Sequence, residues 1–236
     1  MGTRRVRQWL PPQHGAWAML LVPFAAGLLT AGFRWLDLPL LGAWLAGYLC
    51  SYFALLAVKT RRPRRQVAVY GALTAALAAP VLLARPDLLR FAAVYAPLIA
   101  VNVVYAARRR ERALVNDLAS VAQSCVMVFV VAAVASVPLQ QVAVPFLVVL
   151  AYFTGTVLYV KTMIRERGSR GYRIASVACH VLALAGAVVL GPLSAAVFAL
   201  LLARAWLLPG RRLTPKQVGL AEIAASALVL TTAALA

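Results

Sequence analysis

Nine predominantly apolar runs of 17–25 residues constrain this chain more than any motif in it. An α-helix rises 1.5 Å per residue, so roughly 20 apolar residues cross a hydrocarbon core about 30 Å thick. The runs fall at 14–33, 36–58, 67–84, 88–107, 113–137, 141–160, 174–190, 192–208 and 218–236. Pro, Gly or clustered basic residues delimit several of them, as expected of helix ends and headgroup contacts.

Composition excludes the alternative of a water-soluble fold. The 236 residues are 64% hydrophobic and 13% charged. A soluble domain is nearer 45–50% apolar and 25% charged, and one core of this size could not bury the excess. Lipid must supply much of the solvent. The sequence thus predicts an all-α polytopic membrane protein, one transmembrane domain over 1–236.

Segment 174–208 needs a separate argument. As one helix its 35 residues would run about 52 Å, far beyond a bilayer core. Gly191-Pro192 is a natural tight turn, so the segment is read as a hairpin.

Charge orients the helices. With the amino terminus inside, successive cytoplasmic segments hold three, five, four, five and four Lys or Arg, beginning at Arg4, Lys59, Arg108, Lys161 and Arg204. The outer segments hold only Arg34, Arg85 and Arg90. That asymmetry is the positive-inside pattern, and it predicts nine crossings with the amino terminus in and the carboxyl terminus out. Arg4, Arg5 and Arg7 then flank a retained first helix and not a cleaved leader, because the later helices need it for consistent topology. The net charge of +18 follows from topology and implies no nucleic acid. Basic loops of this kind attract anionic headgroups.

Polar residues within membrane spans are expensive and are functional candidates. The candidates singled out are His14, Lys59, Thr60, Asn102, Asn116, Asp117, Lys161, Thr162, Arg165, Glu166, Arg167, His180 and Glu222, all toward the cytoplasmic side. His180 is expected about two turns into its helix, roughly 9 Å deep. Together they predict a polar, basic cavity open to the cytoplasmic leaflet. Val58-Lys59-Thr60 and Val160-Lys161-Thr162 form a short internal echo four helices apart, which would set two loops facing one another. Cys50, Cys125 and Cys179 are isolated and read as free thiols. Trp17, Trp35, Trp44, Tyr105, Tyr159 and Trp206 read as interfacial anchors.

Three stretches carry a family resemblance. Gln13-His14-Gly15-Ala16-Trp17-Ala18-Met19-Leu20, Glu111 to Leu118, and Gly155 to Arg167 resemble the YwiC-like family of bacterial membrane proteins. The likeness continues through Lys216 to Leu220 and Glu222. It implies the bacterial cytoplasmic membrane and brings no activity with it. More distantly the layout is similar to UbiA-type prenyltransferases, which have nine helices and use two Asp-rich loops to hold Mg²⁺ against an isoprenyl diphosphate. That likeness implies a UbiA-like bundle and an isoprenoid or anionic lipid as ligand.

The residues depart from the prenyltransferase pattern. The loop from Lys59 to Arg65 has no carboxylate, and that after Lys161 has only Glu166. Mg²⁺ is therefore possible without being supported, no metal ligands are assigned, and Lys and Arg would clamp an anion directly. The expected function is binding of an isoprenoid or anionic lipid-like ligand. A transporter for a small anion and a non-catalytic partner subunit of a membrane complex are the alternatives. No GxSxG, HExxH, P-loop or dinucleotide fingerprint is present.

Overall fold

The computed structural model describes residues 9–11, 14–211 and 214–235, without the side chains of His14, Pro215 and Lys216. Every element among them is helical. The α-helices are α1 (His14–Ala31), α2 (Asp37–Thr60), α3 (Arg65–Ala84), α4 (Ala92–Ala107), α5 (Leu114–Cys125), α6 (Met127–Val134), α7 (Ala143–Ile164), α8 (Arg170–Leu190), α9 (Pro192–Leu207) and α10 (Pro215–Leu235). Short 3₁₀ turns, Pro86–Phe91 and Leu139–Val142, lead into α4 and α7.

Each of the nine apolar runs becomes helical. Seven of the resulting helices are long and apolar enough to cross a membrane, with α5 and α6 counted together. The other two, α1 and α9, are shorter. The 16 residues of α9 rise only about 24 Å. The fifth run differs from expectation in detail, since its helix breaks at Val126 and ends before Ser136, whose φ of +60° is left-handed.

The Gly191-Pro192 hairpin is present. Gly191 adopts φ +120°, a conformation that L side chains avoid, and Pro192 starts α9 where a missing N–H costs nothing. Thr214 and Gln217 start α10 with a reciprocal capping box. The Thr214 amide donates to Gln217 Oε1 at 2.9 Å, and the Gln217 amide donates to Thr214 Oγ1 at 3.3 Å. At the end of α2, Arg61 takes a left-handed φ of +53°, and the Arg61 and Arg62 amides close onto Val58 and Ala57. This Schellman-type cap fixes where Lys59 emerges.

Packing divides the helices into buried and peripheral sets. α1 is central and packs on α5, α6, α7 and α10. The Leu114–Val134 span is two-thirds buried. By contrast α3 buries Val81 and little else, leaving apolar side chains such as Leu73, Leu82 and Leu83 exposed. A helix this apolar with no protein partner on most of its surface is one whose partner is lipid.

Gly27 lets α1 approach α6. A Cβ there would stand 2.8 Å from the Val131 Cβ and 3.2 Å from the Val128 carbonyl oxygen. Gly27→Ala should therefore lower stability by about 1–3 kcal/mol, the usual cost of overpacking a tight contact. Thermal unfolding in mild detergent measures this, and an unchanged midpoint would contradict the packing.

The aromatic anchors separate into two groups. Trp35 and Trp206 are exposed as expected of headgroup anchors. Tyr159 is fully buried, and Trp44 packs beside Tyr95 while its Nε1 donates to the Leu20 carbonyl. These two belong to the helix core. Helical phase decides this, and an apolar run conceals it. The three cysteines are free.

Candidate functional site

Three of the basic segments, those beginning at Lys59, Arg108 and Lys161, meet at one end of the bundle. Lys59 Nζ meets Glu111 Oε1 at 2.7 Å, and Lys161 Nζ meets Asp117 Oδ2 at 2.7 Å. Lys161 also donates to the Arg112 carbonyl at 2.7 Å. The two lysines of the internal echo thus grip one short segment, 111–117, from opposite sides. Arg85 marks the other end, donating to the Val134 carbonyl and to Ser136 Oγ.

The grips differ in kind. The Lys161 side chain is only 5% exposed and lies 6.0 Å from the Tyr172 ring centroid, whereas Lys59 is 42% exposed. Burial pulls the Glu111 carboxyl upward. The Lys59 ammonium bonded to it, its own backbone amide and the nearby Arg112 together more than offset this and hold it below the usual carboxylate range.

Asn116 serves the same segment as scaffold. Its Nδ2 donates to the Glu111 carbonyl at 2.8 Å, and its Oδ1 accepts from Asn102 Nδ2 at 2.8 Å. Gln123 completes the network by donating to Asn102 Oδ1. With both ends of its amide in use, Asn116 shapes the turn and offers little to a ligand. Thr60 and Thr162 likewise donate to carbonyls of their own helices, Leu56 and Tyr159.

A recess of about 390 Å³ opens beside this segment, lined by Lys59, Arg109, Arg110, Glu111, Arg112 and Ala113. Arg109, Arg110 and Arg112 are exposed on it. Its one carboxylate is already bonded to Lys59, and hard cations such as Mg²⁺ need several oxygen ligands. The donor set does not fit Mg²⁺. Among the described residues, no group of three His, Cys, Asp or Glu could hold a metal. At the end of α7, Arg167 donates through Nε and Nη2 to the Met163 carbonyl, which caps that helix. Arg165 and Glu166 follow it on the surface near the same end.

Glu222 and His180 lie elsewhere. Glu222 pairs with Arg204, whose Nη1 donates to Glu222 Oε1. Glu222 Oε2 accepts from Thr156 Oγ1 at 3.1 Å and from the Tyr152 hydroxyl at 3.3 Å. His180 Nδ1 donates to the Ser176 carbonyl at 2.7 Å, and Gly155 makes room for the ring, since a Cβ there would stand 3.0 Å from His180 Cε1. α8 begins at Arg170, four residues earlier than the sequence suggested. His180 is therefore ten residues into it, about 15 Å deep instead of roughly 9 Å.

The expected single cavity is thus two clusters on different sides of α7. Lys161 faces α5, while Tyr152, Thr156 and Tyr159 face α9 and α10. Thr156 and Lys161 are five residues apart, about 140° around the helix, so the split is a matter of helical phase. His14 begins α1, with its side chain outside the described residues. Arg204, Tyr152 and Thr156 are additions to the expected set. Arg204 had a readable signal, being the one cation inside an otherwise apolar run, but counting it with the basic loop obscured that.

Helices of membrane length with a cationic end define a helical membrane protein with a polar interior beneath one face. The model of the YwiC-like protein family matches residues 10–132. The chain is also 33% identical to the uncharacterized protein YwiC of Bacillus subtilis (strain 168) over 223 residues, 91% of this chain and 92% of that one. It is 34% identical to an uncharacterized protein of Haemophilus influenzae over 226 residues, 92% of this chain and 93% of that one. The chain belongs to the YwiC-like family. No solved structure matches it.

Proposed function

We infer that this protein seats the anionic headgroup of a lipid or isoprenoid in the recess beside residues 109–113, at the cytoplasmic face of the bacterial inner membrane. The arrangement proposed is one membrane domain of nine crossings with the amino terminus inside, laid out like a UbiA bundle. The supporting observation is the recess itself. Three exposed arginines project around a segment that two lysines and an asparagine hold still. Guanidinium groups present paired donors to phosphate oxygens, and fixing the loop beforehand lowers the entropy cost of binding.

Native mass spectrometry of gently extracted protein tests this. The wild type should carry an anionic lipid or an isoprenoid phosphate, and the Arg110→Ala/Arg112→Ala variant should carry about tenfold less, as expected for losing charge-assisted hydrogen bonds. Equal lipid content in the two would overturn the proposal.

A second reading, a permease for a small anion, draws support from one observation. The Arg204–Glu222 pair and His180 place charge and a titratable ring among buried side chains of the bundle, as substrate or ion pathways do. Anion flux into proteoliposomes that is lost in the Glu222→Gln variant would favour this reading over headgroup binding.

A further inference from the structure

The Arg204–Glu222 cluster lies between α7, α8, α9 and α10, apart from the basic recess. The Arg204 side chain is only 10% exposed. Its Nη1 serves Glu222, but its Nε and Nη2 are buried without a partner. Those two nitrogens form the side-on edge of the guanidinium, with two parallel N–H groups spaced for the two oxygens of a carboxylate or phosphate.

Two further buried hydroxyls, on the neighbouring helices α7 and α8, lack partners. The Arg204 guanidinium carbon sits 4.3 Å from the Tyr159 ring centroid, which keeps the tyrosine hydroxyl beside it, and that hydroxyl is unbonded. Ser176 Oγ is also unbonded, one helical turn before His180 on α8. His180, one turn on from Ser176, packs against Gly155 of α7, beside Thr156. Buried donors are costly to leave unmet, and here they are carried by α8 and the two helices it packs on, α7 and α9.

The outer side of the same helix pair is apolar. A groove of about 510 Å³ runs between α8 and α9, lined by Val177, Val181, Leu202, Ala203 and Trp206 among others. Val177 and Val181 directly follow Ser176 and His180, and Ala203 directly precedes Arg204. The groove therefore runs along the same turns of α8 and α9 that carry the polar cluster.

We propose that the side-on edge of Arg204, with the Tyr159 hydroxyl, forms a buried binding site for an oxyanion, a phosphate or carboxylate group. Glu222, Thr156 and Tyr152 position Arg204 by holding its other end. The proposal does not rest on the recess at residues 109–113.

The test is thermal unfolding of the full-length protein in mild detergent, titrated separately with inorganic phosphate, acetate and dihexanoyl phosphatidate. At least one should raise the midpoint saturably. Tyr159→Phe, which removes only a hydroxyl, and Arg204→Lys, which keeps a cation for Glu222 but not the paired edge, should each weaken that effect about tenfold, as expected for a lost hydrogen bond. The titrations are repeated in the Arg110→Ala/Arg112→Ala background, which removes binding at the recess, and there both the response and its weakening by Tyr159→Phe should persist.

A response to phosphate or acetate identifies a soluble oxyanion as ligand. A response to phosphatidate alone identifies a lipid headgroup with its tail in the groove. The proposal fails if none of the three stabilises the protein, or if Tyr159→Phe responds like wild type. It fails equally if the response is lost in the Arg110/Arg112 variant while Tyr159→Phe keeps it, which would place the anion in the recess. Should Arg204→Lys not fold, Tyr159→Phe decides alone.

Discussion

Glu222→Ala should cost about 3–5 kcal/mol, the range for removing one partner of a buried ion pair. The change leaves the Arg204 guanidinium, already nine-tenths buried, without its carboxylate. It also removes the acceptor that Thr156 and the Tyr152 hydroxyl share. Tyr159 and Ala205, on α7 and α9, are fully buried, and among the described residues no other carboxylate pairs with Arg204. Replacing both partners with leucine should restore most of the loss, because apolar residues of similar bulk carry no desolvation penalty. A double-mutant cycle in detergent, followed by thermal or denaturant unfolding, gives both numbers. If Glu222→Ala changed stability by no more than a typical exposed pair, the pairing with Arg204 would be wrong.

The second large effect is expected at Lys161. Lys161→Met keeps the aliphatic stem and removes the ammonium, stranding Asp117 and the Arg112 carbonyl at once. A cost of about 2–4 kcal/mol follows, moderated by the partial exposure of Asp117. Lys59→Met is its control. That pair has side chains 42% and 32% exposed, and such pairs contribute about 1 kcal/mol or less. The contrast is informative because the lysines are echoes in sequence and hold the same segment, yet only one is buried. Similar losses for the two variants would show that burial does not separate them.

The Lys161 variant should also loosen the turn. Segment 108–113 is tied down through Glu111, Arg112 and Asn116, and loss of the Arg112 tie should make a cysteine placed at residue 110 more reactive toward a polar maleimide. The paired stability and labelling measurements separate a change at the turn from unfolding of the whole bundle.

Much of the helical layout is legible along the chain, because lipid reads the polypeptide in one dimension. A run of apolar residues becomes a helix wherever water is absent, since its backbone has no other hydrogen-bond partners. Run lengths, the Gly191-Pro192 turn and the charge bias therefore place the helix ends to within a few residues. The Lys59–Glu111 and Lys161–Asp117 pairs bring three of the basic segments together. The Gln13 to Leu20 and Glu111 to Leu118 stretches were enough to suggest the family.

What sequence alone determined about this protein is thus its solvent, its helical segments and the family it belongs to. Only the tertiary structure decided which side of each helix meets which neighbour. That rotation separates Lys161 from Thr156 on one helix and brings Arg204 to Glu222, 18 residues away across the Leu208–Thr214 connection. It also buries Tyr159 where an interfacial ring was expected. The physical reason is that these helices are apolar around most of their circumference, so no hydrophobic stripe announces the inward face. Helix phase is then set by close contacts such as Gly27 against Val131 and Gly155 against His180, and by the few polar side chains that must find partners inside the bundle.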